Sequence, residues 1–144
     1  MSSVAPPIVR LAERLLVAIE QTVRRFARYH KYSVGADLRA QAMEVAVLAQ
    51  RAWRNREHQQ MWIARLSDAV DDLKLKLQLG SAIRAFPSFP QFEALSRLVK
   101  DLGKQVGGWR RQQKHPNGQS AASDSSLQSP MILSTRAASA GAKP

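Results

Sequence analysis

Arginine is the residue type in this chain best suited to binding a ligand. The sequence holds 22 Lys+Arg against 11 Asp+Glu, a net charge of +11. Residues 1–113 carry 19 of the basic residues and 10 of the acidic ones, and 14 of those 19 are arginines. Guanidinium groups present paired N–H donors that match phosphate and carboxylate oxygens. The composition therefore predicts a polyanionic partner, either nucleic acid or an acidic protein surface.

Catalytic and metal-binding patterns have little support in this sequence. Asp68, Asp71 and Asp72 form a single D-x-x-D-D set without any Glu-x-x-His motif. Solvated charge paired along a helix, as between Asp72 and Lys76, explains the set better. The three histidines are isolated in sequence, no Gly-rich phosphate loop or nucleophile elbow occurs, and the absence of cysteine excludes thiolate metal sites. We expect no enzymatic activity, no cofactor and no bound metal.

The apolar residues that must position these charges recur at helical spacing. The clearest stripe lies in residues 91–109, in alternating steps of three and four: Phe92, Leu95, Val99, Leu102, Val106 and Trp109. Pro90 suits the first turn of this helix. Gly107 and Gly108 lie near its end, and glycine commonly terminates helices. Trp109 nevertheless continues the apolar stripe, which favours a helix that includes both glycines.

Three further amphipathic helices are predicted upstream, over residues 6–28, 34–54 and roughly 57–85. Ser33 is a candidate N-cap for the second of them. In the third, Met61, Val70 and Ile83 are expected to widen the buried stripe. The prolines of the FPSFP segment then end that helix.

Short connections between four such helices predict antiparallel neighbours. The expected fold is all-α, an up-down-up-down four-helix bundle over residues 1–113. Residues 114–144 are rich in Ser, Ala, Gly and Pro and are predicted to form a disordered tail. No apolar run is long enough to span a bilayer, and charged residues interrupt any signal-peptide core near the N-terminus. We therefore expect a cytoplasmic protein without membrane contact.

In this topology the basic side chains collect at the two ends of the bundle. One end, which we name the Arg28 pole, gathers Arg24, Arg25, Arg28, Lys31 and Arg84. The opposite end, the Arg51 pole, gathers Arg10, Arg14, Arg51, Arg54, Arg56, Lys104, Arg110 and Arg111. For any single arginine, a solvated helix end is the simpler explanation. Together they favour a phosphate-binding surface, and all of them except Arg84 and Lys104 are the predicted nucleic-acid contacts.

Aromatic residues accompany both poles. Tyr29, His30 and Tyr32 can stack on unpaired bases, although covering the end of the core is the favoured prediction. Three tryptophans lie near the Arg51 pole: Trp53, Trp62 and Trp109. Core positions are expected for the latter two, whereas a partly exposed tryptophan cluster would mark an interface.

Three stretches give the chain a family resemblance: RYHKYSVGADLRAQAMEVAVLAQRAW, VDDLKLKLQLGSAI and LVKDLGKQVGGWRRQ. They resemble the accessory variability determinant (Avd) proteins of diversity-generating retroelements, and the wider class of small four-helix-bundle proteins encoded within ribosomal-RNA intervening sequences. The match covers about residues 8–113 and leaves the tail outside. Its most specific parts are the basic-aromatic turn before residues 34–38 and the L-G-x-x-x-G-G-W pattern of residues 102–109.

The resemblance implies an antiparallel bundle that assembles as a homopentameric barrel with a basic surface. Such proteins associate with the retroelement's reverse transcriptase and bind RNA or DNA, and they support error-prone complementary-DNA synthesis without catalytic residues of their own. The alternative prediction is an oligomeric helical scaffold whose basic surface docks an acidic protein partner. Binding of nucleic acid would then be incidental.

Overall fold

The segments that carry the apolar stripes form four long helices. A single-turn helix lies between the first two of them. The computed structural model describes residues 4–114. Its helices are α1 (Pro7–Val23), α2 (Arg28–Lys31), α3 (Val34–Arg54), α4 (Gln59–Ala82) and α5 (Phe89–Lys114). The part of the chain from residue 4 to 114 contains no strand, which confirms the predicted all-α class. Residues 115–144 of the predicted tail lie outside the described residues.

One face of each long helix is buried in a common hydrophobic core. The largest fully buried side chains come from all four helices: Val9, Leu15, Ile19, Val23, Leu38, Val45, Ile63, Leu66, Val70, Leu73, Leu77 and Leu102. All six apolar residues of the predicted α5 stripe belong to the core or pack against it. Met61 and Ile83 were wrongly predicted to be inward, since both side chains are exposed. None of the helices within residues 4–114 combines the length and apolar character needed to cross a membrane.

Polar pairs between α1 and α3 show that these helices run in opposite directions. Arg39, in the first half of α3, donates two hydrogen bonds to Glu20 near the end of α1. Gln50, near the end of α3, donates to Glu13 in the first half of α1, at 3.3 Å. Increasing residue number in one helix therefore matches decreasing residue number in the other.

The α3–α4 pair is antiparallel by the same criterion. Gln59 Nε2, at the start of α4, donates to the Ala52 carbonyl oxygen near the end of α3, at 2.8 Å. Gln41 is the buried polar residue of the core, at 5% exposure. Its Nε2 donates to the Ala69 carbonyl at 3.0 Å, and its Oε1 accepts from Lys76 Nζ at 2.8 Å. Because each polar atom of the Gln41 amide has a partner, its burial carries little desolvation cost.

Helix α5 fills the remaining side of the bundle, between α4 and α1. A Cβ atom built on Gly103 would lie 3.8 Å from Val70 Cγ1 of α4, and Phe92 packs edge-on against Phe86 in the connection after α4. Residues from both α1 and α5 line a groove on the other flank. The predicted up-down-up-down bundle is thereby confirmed, and α5 continues through Gly107 and Gly108 as the stripe predicted.

The first helix ends earlier than predicted, because the chain turns to bury Phe26. Helix α1 stops at Val23, and the amides of Arg25 and Phe26 bond three residues back rather than four. The predicted connection after Arg28 forms α2 instead. Ser33 precedes α3 as predicted, yet it makes no capping bond to that helix; its Oγ donates to the Tyr29 carbonyl of α2 at 3.1 Å.

Helix α4 ends at a left-handed residue rather than at the prolines. Arg84 has φ of 61°, the conformation in which glycine is the usual helix terminator. The Ala85 amide donates to the Gly80 carbonyl at 2.9 Å, and the Arg84 amide donates to the Ser81 carbonyl at 3.0 Å. These two bonds form a Schellman motif, which ends the helix three residues before the predicted boundary at Ala85.

The chain divides into two units, Met1–Arg110 and Arg111–Pro144. The four-helix core belongs to the first unit. In the second unit, the described residues 111–114 form the last turn of α5.

Alanine substitution at two helical glycines, Gly35 and Gly103, is expected to change the free energy of unfolding in opposite directions. A Cβ at Gly35 would lie 2.8 Å from Val23 Cγ1 and 3.1 Å from the His30 carbonyl oxygen. Val23 is buried and β-branched, so it cannot move easily, and overpacking of this kind costs about 1–3 kcal/mol. At Gly103 the nearest atom is the mobile Lys74 Nζ, at 3.0 Å.

Gly35→Ala should therefore lower the free energy of unfolding, whereas Gly103→Ala should raise it by up to about 1 kcal/mol through helix propensity. Urea unfolding followed by circular dichroism measures both, provided that the m-value is unchanged. Equal stabilisation by the two substitutions would contradict the close packing of α3 against the end of α1.

Candidate nucleic-acid interface

The connection between α3 and α4 fixes the basic residues at the centre of the Arg51 pole. Asn55 Oδ1 accepts a hydrogen bond from the His58 amide at 3.0 Å, which closes a tight turn after the last residue of α3. Arg51 and Arg54 occupy the last turn of α3, and Arg56 lies in the connection itself. All three arginine side chains are exposed. A short, hydrogen-bonded loop therefore presents them from one end of the bundle.

Three guanidinium groups at this pole lie over tryptophan rings. Arg51 Cζ is 5.2 Å from the Trp62 ring centroid, and Arg65 Cζ is 5.1 Å from the same centroid. Arg54 Cζ is 4.6 Å from the ring centroid of Trp53. These distances are within the range of cation–π attraction, for which indole is the best side-chain partner. Arg65 is not among the contacts predicted from the sequence, although its i,i+3 spacing from Trp62 on a helix indicates that the two side chains meet.

The tryptophans are neither fully buried nor stacked on one another. Trp53, Trp62 and Trp109 are half-buried and pack against the edge of the core. None of the aromatic ring pairs within residues 4–114 includes a tryptophan. Trp62 Nε1 is buried and has no hydrogen-bond partner among the described residues. The indole of Trp62 is therefore held by packing and by the guanidinium groups over its face.

Few of the predicted contact residues are neutralised by carboxylates. Within residues 4–114 the salt bridges are Arg24–Glu20, Arg39–Glu20, His58–Glu57 and Arg97–Glu93. Of the predicted nucleic-acid contacts, only Arg24 is among them. The others in the described region are exposed, apart from the half-buried Lys31: Arg10, Arg14, Arg25, Arg28, Arg51, Arg54, Arg56, Arg110 and Arg111.

The structure divides the predicted Arg51 pole into two sides. Arg51 and Arg65 meet at Trp62, on the side formed by α3 and α4. Arg10 and Arg14 instead line the groove between α1 and α5, which has a volume of about 740 Å³ and apolar walls that include Leu98. Arg110 lies at the end of α5 within the first unit, and Arg111 belongs to the second unit. The predicted residues of the first unit therefore have two kinds of surroundings, tryptophan rings on α3 and α4 and a groove between α1 and α5.

The aromatic residues of the Arg28 pole are more accessible than predicted. Tyr29 and Tyr32 are 83% and 70% exposed, so the prediction that they cover the core was wrong. Phenylalanines close this end instead: Phe26 and Phe86 pack edge-to-face at 5.1 Å, and Phe92 packs on Phe86 at 5.4 Å. Exposed tyrosine rings remain available for stacking on unpaired bases.

Two of the five basic residues of the Arg28 pole, Arg24 and Lys31, are less accessible than the other three. Arg24 Nε lies 3.6 Å from a Glu20 oxygen. Lys31 and His30 are half-buried, and His30 Nδ1 is buried without a hydrogen-bond partner in the described part of the chain. The positive charge accessible to a polyanion is therefore greater at the Arg51 pole.

The aspartates of α4 do not gather into a metal site. Asp68, Asp71 and Asp72 are exposed on the outer side of the helix. Across residues 4–114, no three His, Asp or Glu side chains are arranged to hold a metal ion. The predicted Asp72–Lys76 pair is absent from the salt bridges of this region, because Lys76 Nζ donates to Gln41 instead.

Glu20 is held as a carboxylate by the arginines around it. Arg39 Nε and Nη2 donate to its two oxygens at 2.8 and 3.0 Å, a bidentate pair. This hydrogen bonding is the main reason why the pKa of Glu20 lies below its ordinary value, and the charges of Arg39 and Arg24 act in the same direction. Desolvation opposes the shift without reversing it.

No family model, curated protein or solved structure matches this chain. The resemblance to Avd proteins therefore depends on the sequence stretches that carry it. The functional proposal depends on the exposed arginines and the indole rings beneath them.

Substituting Glu20 by glutamine should make the stability of the protein less dependent on acid pH. The folded-state pKa of Glu20 lies below its ordinary value, so its carboxylate stabilises the fold at pH values above the ordinary one, and the contribution is lost as the pH falls through the folded-state value. The thermal unfolding midpoint of Glu20→Gln should thus be lower than that of the wild type at pH 7, and the two should converge in acid.

Glu44→Gln is the matched control, because Glu44 is exposed and forms no salt bridge within residues 4–114. It should show no such convergence. A gap between wild type and Glu20→Gln that persists unchanged at pH 2 would contradict the role assigned to the Arg39 pair.

Proposed function

We propose that this protein is a non-enzymatic accessory subunit that binds nucleic acid through its basic surface and associates with a reverse transcriptase. In this role it holds template RNA or complementary DNA during mutagenic synthesis in a diversity-generating retroelement, in the cytoplasm. The resemblance of residues 8–113 to Avd proteins supplies the biological setting. The arginines of the Arg51 pole supply the physical support.

The observation that carries the proposal is the exposure of these arginines without carboxylate partners. Arg51, Arg54 and Arg56 lie within a few residues of one another and form no salt bridge within residues 4–114. On the flank of the bundle, by contrast, Arg97 pairs with Glu93 at 3.4 Å. Like charges held close together repel one another, and a polyanion that binds there relieves that repulsion. Phosphate oxygens match the guanidinium donors without any need to read base sequence.

Exposed apolar side chains support assembly with other protein chains. They lie on the outer sides of α3 and α4 and at the C-cap of α4: Met43, Val47, Leu75, Leu79 and Ile83. We propose that the protein acts as a homo-oligomer, a pentamer by the resemblance, so that weak contacts of each protomer add through multivalency. Light scattering on the purified 16.0 kDa chain tests this directly, and a monomeric mass would remove the multivalent part of the proposal.

The second candidate function is a scaffold that docks an acidic protein partner. The groove between α1 and α5 favours it, because its lining combines apolar side chains with two arginines, Arg10 and Arg14, against one carboxylate, Glu13, and so suits an amphipathic acidic segment. Co-purification with the reverse transcriptase after nuclease treatment separates the two candidates. Retention that survives the nuclease supports direct protein contact, whereas loss of the complex shows that nucleic acid bridges the two proteins.

Reversing three charges at the Arg51 pole should weaken nucleic-acid binding. In Arg51→Glu/Arg54→Glu/Arg56→Glu, both the attraction to phosphates and the guanidinium donors are lost, so the dissociation constant for a single-stranded RNA should rise by at least about 100-fold. Fluorescence anisotropy measures the affinity, and the helical circular-dichroism signal should stay intact.

The control is Lys74→Glu/Arg97→Glu/Lys100→Glu, which changes the net charge equally but on the exposed flanks of α4 and α5; because Arg97→Glu also breaks the pair with Glu93, its helical circular-dichroism signal must likewise stay intact. Its effect on affinity should be much smaller. Equal losses for the two triple variants would show that only the net charge matters, and unchanged binding by the first would exclude the Arg51 pole as the binding surface.

A further inference from the structure

The exposed arginines near the Arg51 pole differ in how firmly their guanidinium groups are held. Arg51 and Arg65 lie over the ring of Trp62, at 5.2 and 5.1 Å from its centroid. Arg56, in the loop, has no such ring contact among the described residues. We call an arginine braced when its guanidinium group lies over an aromatic ring. Arg51 and Arg65 are braced in this sense, and Arg56 is unbraced.

Bracing changes what an arginine can contribute to anion binding. A guanidinium that lies on an aromatic face has its flat, weakly hydrated side covered, while its N–H groups point outward in the plane of the group. A free arginine must give up rotamer entropy when it binds, whereas a braced one has already lost part of it. The braced groups should therefore bind phosphate oxygens more tightly for the same charge.

Trp62 is well placed to act as the brace. It packs against the hydrophobic core, and its indole Nε1 is buried. Arg51 comes from α3 and Arg65 from α4, so a single ring fixes the two charges relative to each other across a helix pair. Both Cζ atoms lie close to the same ring, so the two charges are near enough to meet neighbouring phosphates of one strand.

We propose that Arg51 and Arg65, braced on Trp62, form a phosphate clamp that grips consecutive phosphodiesters of one nucleic-acid strand. Trp62 is a positioning residue in this clamp, because its face is occupied by guanidinium groups and is closed to stacking with bases. The clamp rests on the proposed function and deepens it: the ligand feature recognised is the sugar-phosphate backbone, and Arg65 is added to the contacts.

The test compares Arg65→Gln with Arg56→Gln, since each substitution removes one charge from an exposed arginine. With a labelled 20-nucleotide single strand in fluorescence anisotropy, Arg65→Gln should raise the dissociation constant about tenfold, as expected for loss of a charge-assisted bond. Arg56→Gln should raise it about threefold or less. Arg65→Lys keeps the charge without the planar fork and should resemble Arg65→Gln.

The role of Trp62 is measured by a double-mutant cycle with Trp62→Leu. If the ring positions Arg65, then Arg65→Gln should cost much less affinity in the Trp62→Leu background than in the wild type. Circular dichroism shows whether Trp62→Leu remains folded. If it does not, Trp62→Phe, which keeps a weaker aromatic face, takes its place in the cycle.

A strand in which abasic residues replace the bases distinguishes backbone binding from base stacking. Comparable affinity for the abasic and the ordinary strand supports the clamp, whereas a large loss for the abasic strand overturns it. Equal effects of Arg65→Gln and Arg56→Gln, or additive effects in the cycle, also overturn the clamp but leave the proposed function standing. If the wild-type protein binds neither strand, the proposed function fails and the clamp with it.

Discussion

Burial of one apolar face from each of four helices in a single core is the constraint on which the rest of this structure depends. The chain has no cysteine, so no disulfide can assist folding. Each leucine or isoleucine removed from water contributes about 1.5–3 kcal/mol, and these terms must offset the entropy of ordering the backbone. Because the core takes up the apolar side chains at helical spacing, the charged ones are left on the outer faces and at the helix ends.

The two ends of the core are closed by different aromatic residues. At the Arg28 pole, Phe26, Phe86 and Phe92 pack edge-to-face and form an apolar seal. At the Arg51 pole the half-buried rings are tryptophans, whose faces attract guanidinium groups more strongly than phenylalanine does. Trp62 thereby serves both the core and the charged surface. One side chain therefore links the stability of the bundle to the placement of Arg51 and Arg65.

Arginines held close together at the Arg51 pole repel one another, and this repulsion lowers the stability of the fold. Carboxylates could relieve it, as Glu20 does for Arg24 and Arg39, where two guanidinium groups share one acidic side chain. At the Arg51 pole, indole rings supply part of the stabilisation that carboxylates give to guanidinium groups elsewhere. A ring stabilises the cation without offering acceptor oxygens, so the N–H donors stay available. This arrangement favours binding of phosphate over simple stabilisation of the helix ends.

Helical periodicity was sufficient to predict the fold. The wrong predictions concern features that depend on contacts between elements of the fold. The stripes of α1, α3, α4 and α5 follow from spacing alone, because a helix at that period has a single apolar face. The end of α4 was not predictable, since Arg84 takes a left-handed conformation that sequence rules reserve for glycine. The partner of Lys76 was missed because Gln41 approaches it from another helix.

At the candidate interface, the sequence predicted the exposed arginines but not their arrangement. Composition and topology placed Arg51 and Arg54 at one pole. The surroundings of each arginine depend on which helix faces meet, so the groove that Arg10 and Arg14 line required the structure. Arg65 lies one helical turn from Trp62 and could have been recognised, whereas the approach of Arg51 to the same ring crosses between helices.

The most direct test of this account is the salt dependence of single-stranded nucleic-acid binding by the full chain. If arginine–phosphate contacts carry the affinity, log Kd should rise linearly with log salt concentration, with a slope of about 2 or more for three or more phosphates neutralised. The slope should be the same for strands of different base composition. A Kd that does not change with salt would contradict the electrostatic mechanism, and with it the function assigned to the Arg51 pole.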